Sequence, residues 1–316
     1  MQKRTSLTDL LGIKYPIIMA PMFLVSNVNM TVAASNAGIT GCIPALNYRT
    51  IPELKSAIQE IKEKSTGPFG INLIVNKSNF LYKEQLKTCC DLKVDYIITS
   101  LGSPEETIKM AHKAGVKVFC DVVNLEYAKK VERLGADALI AVNKEAGGHF
   151  GPMSYRELIP LLTQNCTIPV ISAGGVGSKE ELDQMLTIGA AGVSVGSLFI
   201  ATLESEVSAS YKEACVSYGA KDIVASNKLS GSQCTVINTP YVQKIGTQQN
   251  AFQQFLSKNK SFKKWFKAFT FYQGMKKFEK AALTATYKTV WCAGPSIEHV
   301  NAIRSVAEIV ADLTDE

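Results

Sequence analysis

The sequence predicts an α/β fold, a closed (β/α)8 TIM barrel with a helical insertion ahead of its last helix, on three observations. Eight short, almost wholly apolar runs recur between residues 16 and 195, as expected for strands buried on both faces. Helix-length amphipathic segments separate the runs, several of them opened by a hydroxyl residue three positions before a carboxylate. Glycine stands just before the next run at four of the helix ends. Repeated strand–helix alternation gives a parallel sheet, and right-handed crossovers allow a closed barrel or an open doubly wound sheet. Eight evenly spaced units, with no reversal of strand order to be read, select the barrel.

The expected strands are residues 16–20, 39–43, 69–74, 96–99, 116–122, 138–142, 169–173 and 192–195. Between them, Thr50 with Glu53, Ser103 with Glu106, Ser154 with Glu157 and Ser178 with Glu181 are spaced for capping boxes, in which two side chains satisfy orphan amides reciprocally. Gly38, Gly115, Gly135 and Gly189 are placed to close helices in the left-handed conformation. After Glu204 the rhythm breaks, and residues 205–290 read as helical without strands. Lysines and aromatics interleave there between 255 and 280. An amphipathic cap with a solvated lysine face accounts for them, as does a basic surface for an acidic carrier protein or nucleic acid. Residues 296–312 read as the last helix. The chain thus divides into a barrel (1–204), a lysine-rich cap (205–290) and a closing segment (291–316).

Composition narrows the class further. The 316 residues are 46% hydrophobic and 20% charged, with 34 Lys+Arg against 28 Asp+Glu for a net charge of +6. That balance excludes disordered, collagen-like and coiled-coil chains. No leader-like apolar core follows the start and no run approaches the ~18 apolar residues of a spanning helix, so no membrane partner is expected. The eight cysteines are scattered without C-x-x-C spacing, which predicts free thiols, no metal site and a cytoplasmic protein. No nucleic-acid motif accompanies the lysines, and no nucleic acid is expected as partner.

In such a barrel the chemistry belongs at the C-terminal ends of the strands. Ala173, Gly174, Gly175 and Val176 follow the seventh strand, and Gly196 and Ser197 follow the eighth. Glycines at these two strand ends let backbone amides approach phosphate oxygens, although tight turns alone would also use them. Ser178 is expected to cap its own helix, leaving a phosphate to the amides of 174–176, Gly196 and Ser197. After the sixth strand comes Glu145-Ala146-Gly147-Gly148-His149-Phe150-Gly151. His149 is the candidate catalytic residue, since imidazole titrates near neutrality and glycine neighbours leave little to pack it structurally. His112 and His299 fall within helices and read as surface residues. Ala20, Pro21 and Met22 after the first strand can wall a flat heterocycle. Asn72, a polar residue inside an apolar strand, needs a partner, either in the core or on a ring carrying donors and acceptors.

A phosphate cup, a ring wall and a histidine at one barrel mouth suggest flavin mononucleotide. The motifs Ala20-Pro21-Met22, FGIN at 69–72, EAGGHFG at 145–151, PVISAGGV at 169–176 and GAAGVSVGSLF at 189–199 resemble the nitronate monooxygenase family, formerly 2-nitropropane dioxygenases. That family is related to the FMN-dependent enoyl-acyl-carrier-protein reductase II. The resemblance covers residues 13–204, and Cys292-Ala293-Gly294 is similar to the family's glycine motif before the final helix. It implies FMN as cofactor, bound through Ala20, Pro21, Met22, Asn72, Glu145, Gly147, Gly148, Ala173, Gly174, Gly175, Gly196 and Ser197, with His149 beside the reacting carbon. Three positions depart from the family pattern. Val142 and Asn143 stand where Gln or Glu and then Gly are usual, which assigns a substituted flavin contact to Asn143 or Lys144. Asp121 ends the fifth strand where many nitronate enzymes carry a basic residue, and Leu198 replaces a common arginine.

The resemblance implies oxidation of alkyl nitronates by O2, a nitronate being already a carbanion equivalent. The alternative is an NAD(P)H-dependent enoyl-acyl-carrier-protein reductase, for which the basic cap would meet an acidic carrier protein. A third reading is an FMN-binding barrel without catalysis.

Overall fold

In the computed structural model, which describes residues 6–76, 78–227, 233–248 and 290–315, strands alternate with helices as the apolar rhythm requires. The strands β1 (Ile17–Met19), β2 (Thr40–Pro44), β3 (Phe69–Ile74), β4 (Tyr96–Ser100), β5 (Lys117–Val122), β6 (Ala138–Val142), β8 (Val170–Ala173) and β9 (Gly192–Val195) form a closed parallel ring, and β7 (Gly148–His149) stands outside it. The ring is sealed where Ile17, Ile18 and Met19 pair with Val193, Ser194 and Val195. Helices α2 (Val28–Asn36), α3 (Ile51–Lys64), α4 (Tyr82–Asp91), α5 (Glu105–Lys113), α6 (Leu125–Arg133), α7 (Tyr155–Asn165) and α8 (Lys179–Thr187) surround it, while α1 (Leu7–Leu11) carries Leu7 onto the interior cluster.

Side chains divide by parity along each strand. Ile18, Cys42, Tyr96, Ile98, Phe119, Ala138, Ile140 and Ile171 fill the interior, with Leu7 and Ile13 packed against them. Their neighbours in sequence, among them Ile17, Ile43, Ile71, Ile97, Val118, Leu139, Val170 and Val193, pack with apolar side chains of the helices. Tyr96 stacks on Phe119 with ring centroids 4.9 Å apart, and its hydroxyl shares a hydrogen bond of 3.1 Å with Thr40. Gly70 makes room for this pair, since a Cβ there would lie 2.2 Å from the Tyr96 ring.

Most helix signals hold. Thr50 and Glu53 form a capping box, and Gly38, Gly115, Gly135 and Gly189 have φ of +82°, +76°, +95° and +103°. At α7 the Glu157 carboxylate accepts from both the amide and the hydroxyl of Ser154. Two expected boxes change. Pro104 takes the cap position of α5, so Ser103 falls one residue too early to serve it. Ser178 caps α8 through the Glu181 amide, but the Glu181 carboxylate turns to the Gly177 amide at 2.6 Å.

The segment expected to be helical and free of strands contains two. After α9 (Ala209–Ser217), β10 (Ile223–Ser226) and β11 (Cys234–Ile237) pair antiparallel, and β11 continues onto β7, with Cys234 opposite His149 and Thr235 opposite Gly148. Four-residue runs are too short for periodicity to separate strand from helix, and the partner strand lies far away in sequence. α10 (Pro240–Ile245) follows. The lysine-rich stretch, 255–280, lies outside the described residues. The expected last helix is also divided. A 3-10 turn, Pro295–His299, precedes the final helix Val306–Thr314, which Ser305 and Glu308 start afresh with their own capping box.

Gly70→Ala should therefore push into the Tyr96 ring and cost about 1–3 kcal/mol of stability, the usual range for overpacking a core. Thermal unfolding would read this as a lower midpoint, and an unchanged midpoint would show that the ring can step aside.

Candidate active site

Parity also decides which side chains reach the barrel mouth. The inward positions at the strand ends are Ala20, Pro44, Asn72, Ser100, Asp121, Val142, Ala173 and Ser194, and all of them line one cavity of about 810 Å³. That volume lies within the ~300–1,000 Å³ of small-molecule sites. The loops beyond add Pro21, Met22, Glu145, Gly147, Gly148, His149, Gly174, Gly175, Gly196 and Ser197. Every residue predicted from the sequence for the site is thus in one wall or another, with two exceptions, Asn143 and Lys144. Asn143 is fully buried and is not in the wall. Its Nδ2 donates to Ser172 Oγ at 3.3 Å and to the Gly174 carbonyl at 3.0 Å, and its Oδ1 accepts from the Glu145 amide at 2.9 Å. Asn143 ties the two glycine loops together from beneath. Lys144 is likewise outside the wall, its side chain exposed.

The glycine loops are shaped by close approach. Gly174 has φ +111°, and a Cβ there would stand 2.4 Å from the Ala146 nitrogen and from Asn143 Oδ1. Gly147 crosses Gly294, where a Cβ on Gly147 would come within 2.9 Å of the Gly294 nitrogen. The Gly294 amide donates to Ser197 Oγ at 2.8 Å, leaving the hydroxyl proton of Ser197 for another acceptor. The amides of Gly175, Val176, Gly196 and Ser197 donate to no atom of the described residues. Four unused donors on two neighbouring loops make a concavity able to hold an anionic group such as a phosphate. Glu181 already occupies the Gly177 amide, so the cup stops short of the α8 terminus.

Across the mouth, a polar line joins three strands. Asn72 Nδ2 donates to the Ile98 carbonyl at 3.1 Å and to Ser100 Oγ at 2.8 Å, and the Ser100 hydroxyl donates to Asp121. Both amide protons of Asn72 are thereby used. Only its Oδ1 remains for a ligand, so Asn72 offers an acceptor and not the donor–acceptor pair expected of it. Burial raises the Asp121 carboxyl to about 6, against the lowering effect of the Ser100 hydrogen bond.

His149 sits in β7, held by β11: the Gly148 amide donates to Thr235 Oγ1 at 2.9 Å, which in turn donates to the Ala146 carbonyl at 3.2 Å. The ring is open to the cavity yet walled by protein, and this desolvation holds its pKa below the ordinary histidine value. It is therefore neutral at pH 7 and able to take a proton. Glu145 lines the cavity while one carboxylate oxygen accepts from the Tyr155 amide at 3.2 Å, at the start of α7. His112 and His299 are partly exposed and face Asp137 and Glu181, with His299 in the 3-10 turn instead of a helix.

Sequence reasoning missed Ser100, Tyr127, Lys130, Cys234 and Cys292, all of which line the cavity, and gave Asp121 no role. Period-two alternation places Ser100 and Asp121 inward in register with Asn72, a signal that was present. Nothing local marks Cys234 or Cys292. Among the described residues no group of His, Cys, Asp or Glu is arranged to hold a metal ion, and no helix is long and apolar enough to cross a membrane.

A sequence model of the nitronate monooxygenase family matches residues 4–83 and 77–316. A (3aS,4S,5R,7aS)-5-hydroxy-7a-methyl-1-oxo-octahydro-1H-indene-4-carboxyl-CoA dehydrogenase of Rhodococcus jostii is 34% identical over 77% of this chain and 68% of its own length. A probable nitronate monooxygenase of Staphylococcus saprophyticus is 27% identical over 82% of this chain and 85% of its own. The structure of FabK from Thermotoga maritima superposes with a TM-score of 0.85 at 29% identity, covering 99% of this chain and 96% of that one.

The Asp121 carboxyl gives a test of the polar line. Its folded pKa lies above the unfolded value, so its ionisation opposes folding: stability falls as pH rises from about 4 to about 6 and the cost is complete above that. Asp121→Asn should raise stability at pH 8 by at most about 3 kcal/mol, the gain shrinking as pH falls toward 4. Thermal unfolding at pH 8 and pH 5 checks this, and equal midpoints at pH 8 would show that cavity water solvates the carboxylate.

Proposed function

The chain belongs to the nitronate monooxygenase family and is an oxidoreductase of that type, and from this premise we propose that it uses FMN to act on a neutral acyl thioester. The observation that carries this reading is the charge of the cavity. Asp121 and Glu145 are carboxylates, His149 is neutral at pH 7, and Lys130 is exposed on the α6 side of the mouth. An alkyl nitronate is a small anion and would meet two carboxylates. Like charges about 4 Å apart oppose each other by roughly 4 kcal/mol at an effective dielectric constant of about 20. A thioester is neutral at its reacting carbons and carries its anionic groups on the remote carrier arm, where Lys130 is available. The relative at 34% identity, named for a CoA thioester, supports the same class.

FMN fits the residues present, given the four unused amides and the glycines that keep the loops close. When bound, it supplies the electron exchange that no side chain here performs. The amides of Gly175, Val176, Gly196 and Ser197, with the Ser197 hydroxyl, would hold its phosphate. Ala20, Pro21 and Met22 would wall its ring, and Asn72 Oδ1 would offer that ring an acceptor. His149 moves a proton at the carbon beside the thioester carbonyl, which spreads the charge left behind. Pro21, Met22, Val142 and Ile200 keep the site apolar and limit water.

Oxidation of a nitronate by O2 is the second reading, favoured by the family match itself and by the Staphylococcus relative. There a neutral nitroalkane would enter and His149 would take its α-proton. Anaerobic mixing of the yellow protein with NADH, NADPH, an enoyl-CoA and a nitronate in turn separates the two. The thioester reading expects NAD(P)H to bleach the flavin and enoyl-CoA to restore it. Bleaching by the nitronate alone would establish the second reading, and a protein inert to all would be an FMN-binding barrel without catalysis.

Two variants test the roles. Gly175→Leu, at φ +78° with a new Cβ 3.2 Å from the Tyr155 ring and 3.3 Å from Glu145 Cβ, should fill the cup and yield colourless protein with unchanged circular dichroism. Full FMN content in that variant would move the phosphate elsewhere. His149→Ala should keep FMN and its unfolding midpoint while losing about 10²–10⁴-fold in turnover on a proton-bearing substrate. A pre-ionised nitronate, needing no proton transfer, should suffer less; loss of flavin or of the fold would assign His149 a structural role.

A further inference from the structure

Along the polar line at the ends of β3, β4 and β5, two oxygens are left over. Asn72 gives away both amide protons, one to the Ile98 carbonyl at 3.1 Å and one to Ser100 Oγ at 2.8 Å. Ser100 gives its only hydroxyl proton to Asp121 Oδ2. Asn72 Oδ1 and Asp121 Oδ1 therefore have no hydrogen-bond partner among the described residues, and neither is sealed in protein. Both residues line the cavity. One hydroxyl joins them, so a neutral acceptor and a carboxylate oxygen stand one side chain apart at the same edge. An oxidised flavin ring presents a single N–H, at N3, and Asn72 alone suffices to accept it. Reduction adds charge at N1, across one carbonyl from N3, and in water that nitrogen ionises near neutrality.

We propose that Asp121 keeps the reduced flavin protonated, its free carboxylate oxygen accepting from the ring nitrogen that would otherwise be left anionic. The proposal rests on FMN as the cofactor and on no choice of substrate. The Asp121 carboxyl, at about 6, is ionised at pH 8. A reduced ring without its N1 proton would set a second negative charge beside that carboxylate in a desolvated wall, and like charges there oppose each other's ionisation. Ring and carboxylate therefore retain one proton between them, titrating as a pair. The balance is two electrons and two protons: a hydride donor brings both electrons and one proton to N5, and solvent supplies the other to N1. Charge beside these nitrogens is one means by which a protein tunes a flavin. The other groups around Asp121 do not titrate in this range. Cys42 from β2, Cys120 on β5 and Tyr127 from α6 are pushed up by burial first, with the Asp121 charge adding to it, and are neutral at pH 8. Lys130, Glu145 and His149 share the cavity wall, and His149, held below its ordinary value, is neutral at pH 8 as well.

The experiment measures the midpoint potential of the FMN-loaded protein anaerobically between pH 7.5 and 8.5 against a reference dye, the slope giving the protons taken up per two electrons. Wild type is expected to take up two. Asp121→Asn, which leaves no carboxylate beside the ring, should take up one, and His149→Ala should still take up two. If Asp121→Asn does not hold FMN, Asp121→Ser removes the same charge with a smaller side chain, and a wild-type count of one overturns the proposal without any variant. A count of two both with and without the Asp121 carboxylate, or a count lowered by His149→Ala instead, overturns it too. Protein that takes up no FMN would sink the choice of cofactor and this proposal together, whereas yellow protein with an unchanged count removes only the role of Asp121.

Discussion

A closed ring of parallel strands forces every second side chain inward, and each feature of this molecule's mouth follows from that constraint. The lower inward positions hold Ile98, Phe119, Ile140 and Ile171, which fill the barrel as a packed core. The same alternation, continued two residues along each strand, delivers Ser100, Asp121, Val142 and Ala173 to the cavity. Core and site therefore share one register. A slip of one residue in a strand would exchange its core face for its helix face and remove its contribution to both.

The polar groups at the mouth are segregated around that ring. The glycine loops lie at the ends of β8 and β9, where the unused donors are backbone amides and side chains would fill the space between them. The Asn72–Ser100–Asp121 line lies on β3 to β5, where side chains carry the hydrogen bonds and every donor in the line already points to an acceptor. One side thus presents donors and the other acceptors. A ligand with an anionic end and a ring N–H can satisfy both, and a small free anion can satisfy only the cup.

Asn143 shows how a departure from the family pattern is absorbed. Its side chain replaces no ligand contact; it spans the gap between the loop after β6 and the loop after β8, with Gly174 left no room for a Cβ. β7 and β11 then hold the outer part of the same loop and place His149 over the cavity. The histidine is positioned by an antiparallel sheet whose other strands, β10 and β11, come from residues 223–237.

The sequence by itself determined the ring, since buried parallel strands must be continuously apolar and their helices need caps and glycine stops, all local signals. It also marked the glycine loops, His149 and the Ala20-Pro21-Met22 wall, because chemistry at a barrel mouth leaves unusual residues just beyond each strand. Tertiary structure alone decided three things. It spent both Asn72 protons on β4, a fact set by the β3–β4 register and not by the residue type. It made strands of 223–226 and 234–237, whose partner is remote and whose length is too short for periodicity to speak. And it placed Cys234 and Cys292, 58 positions apart with a spacing that matches no motif, on the wall of one cavity, because only the folded backbone brings those segments together.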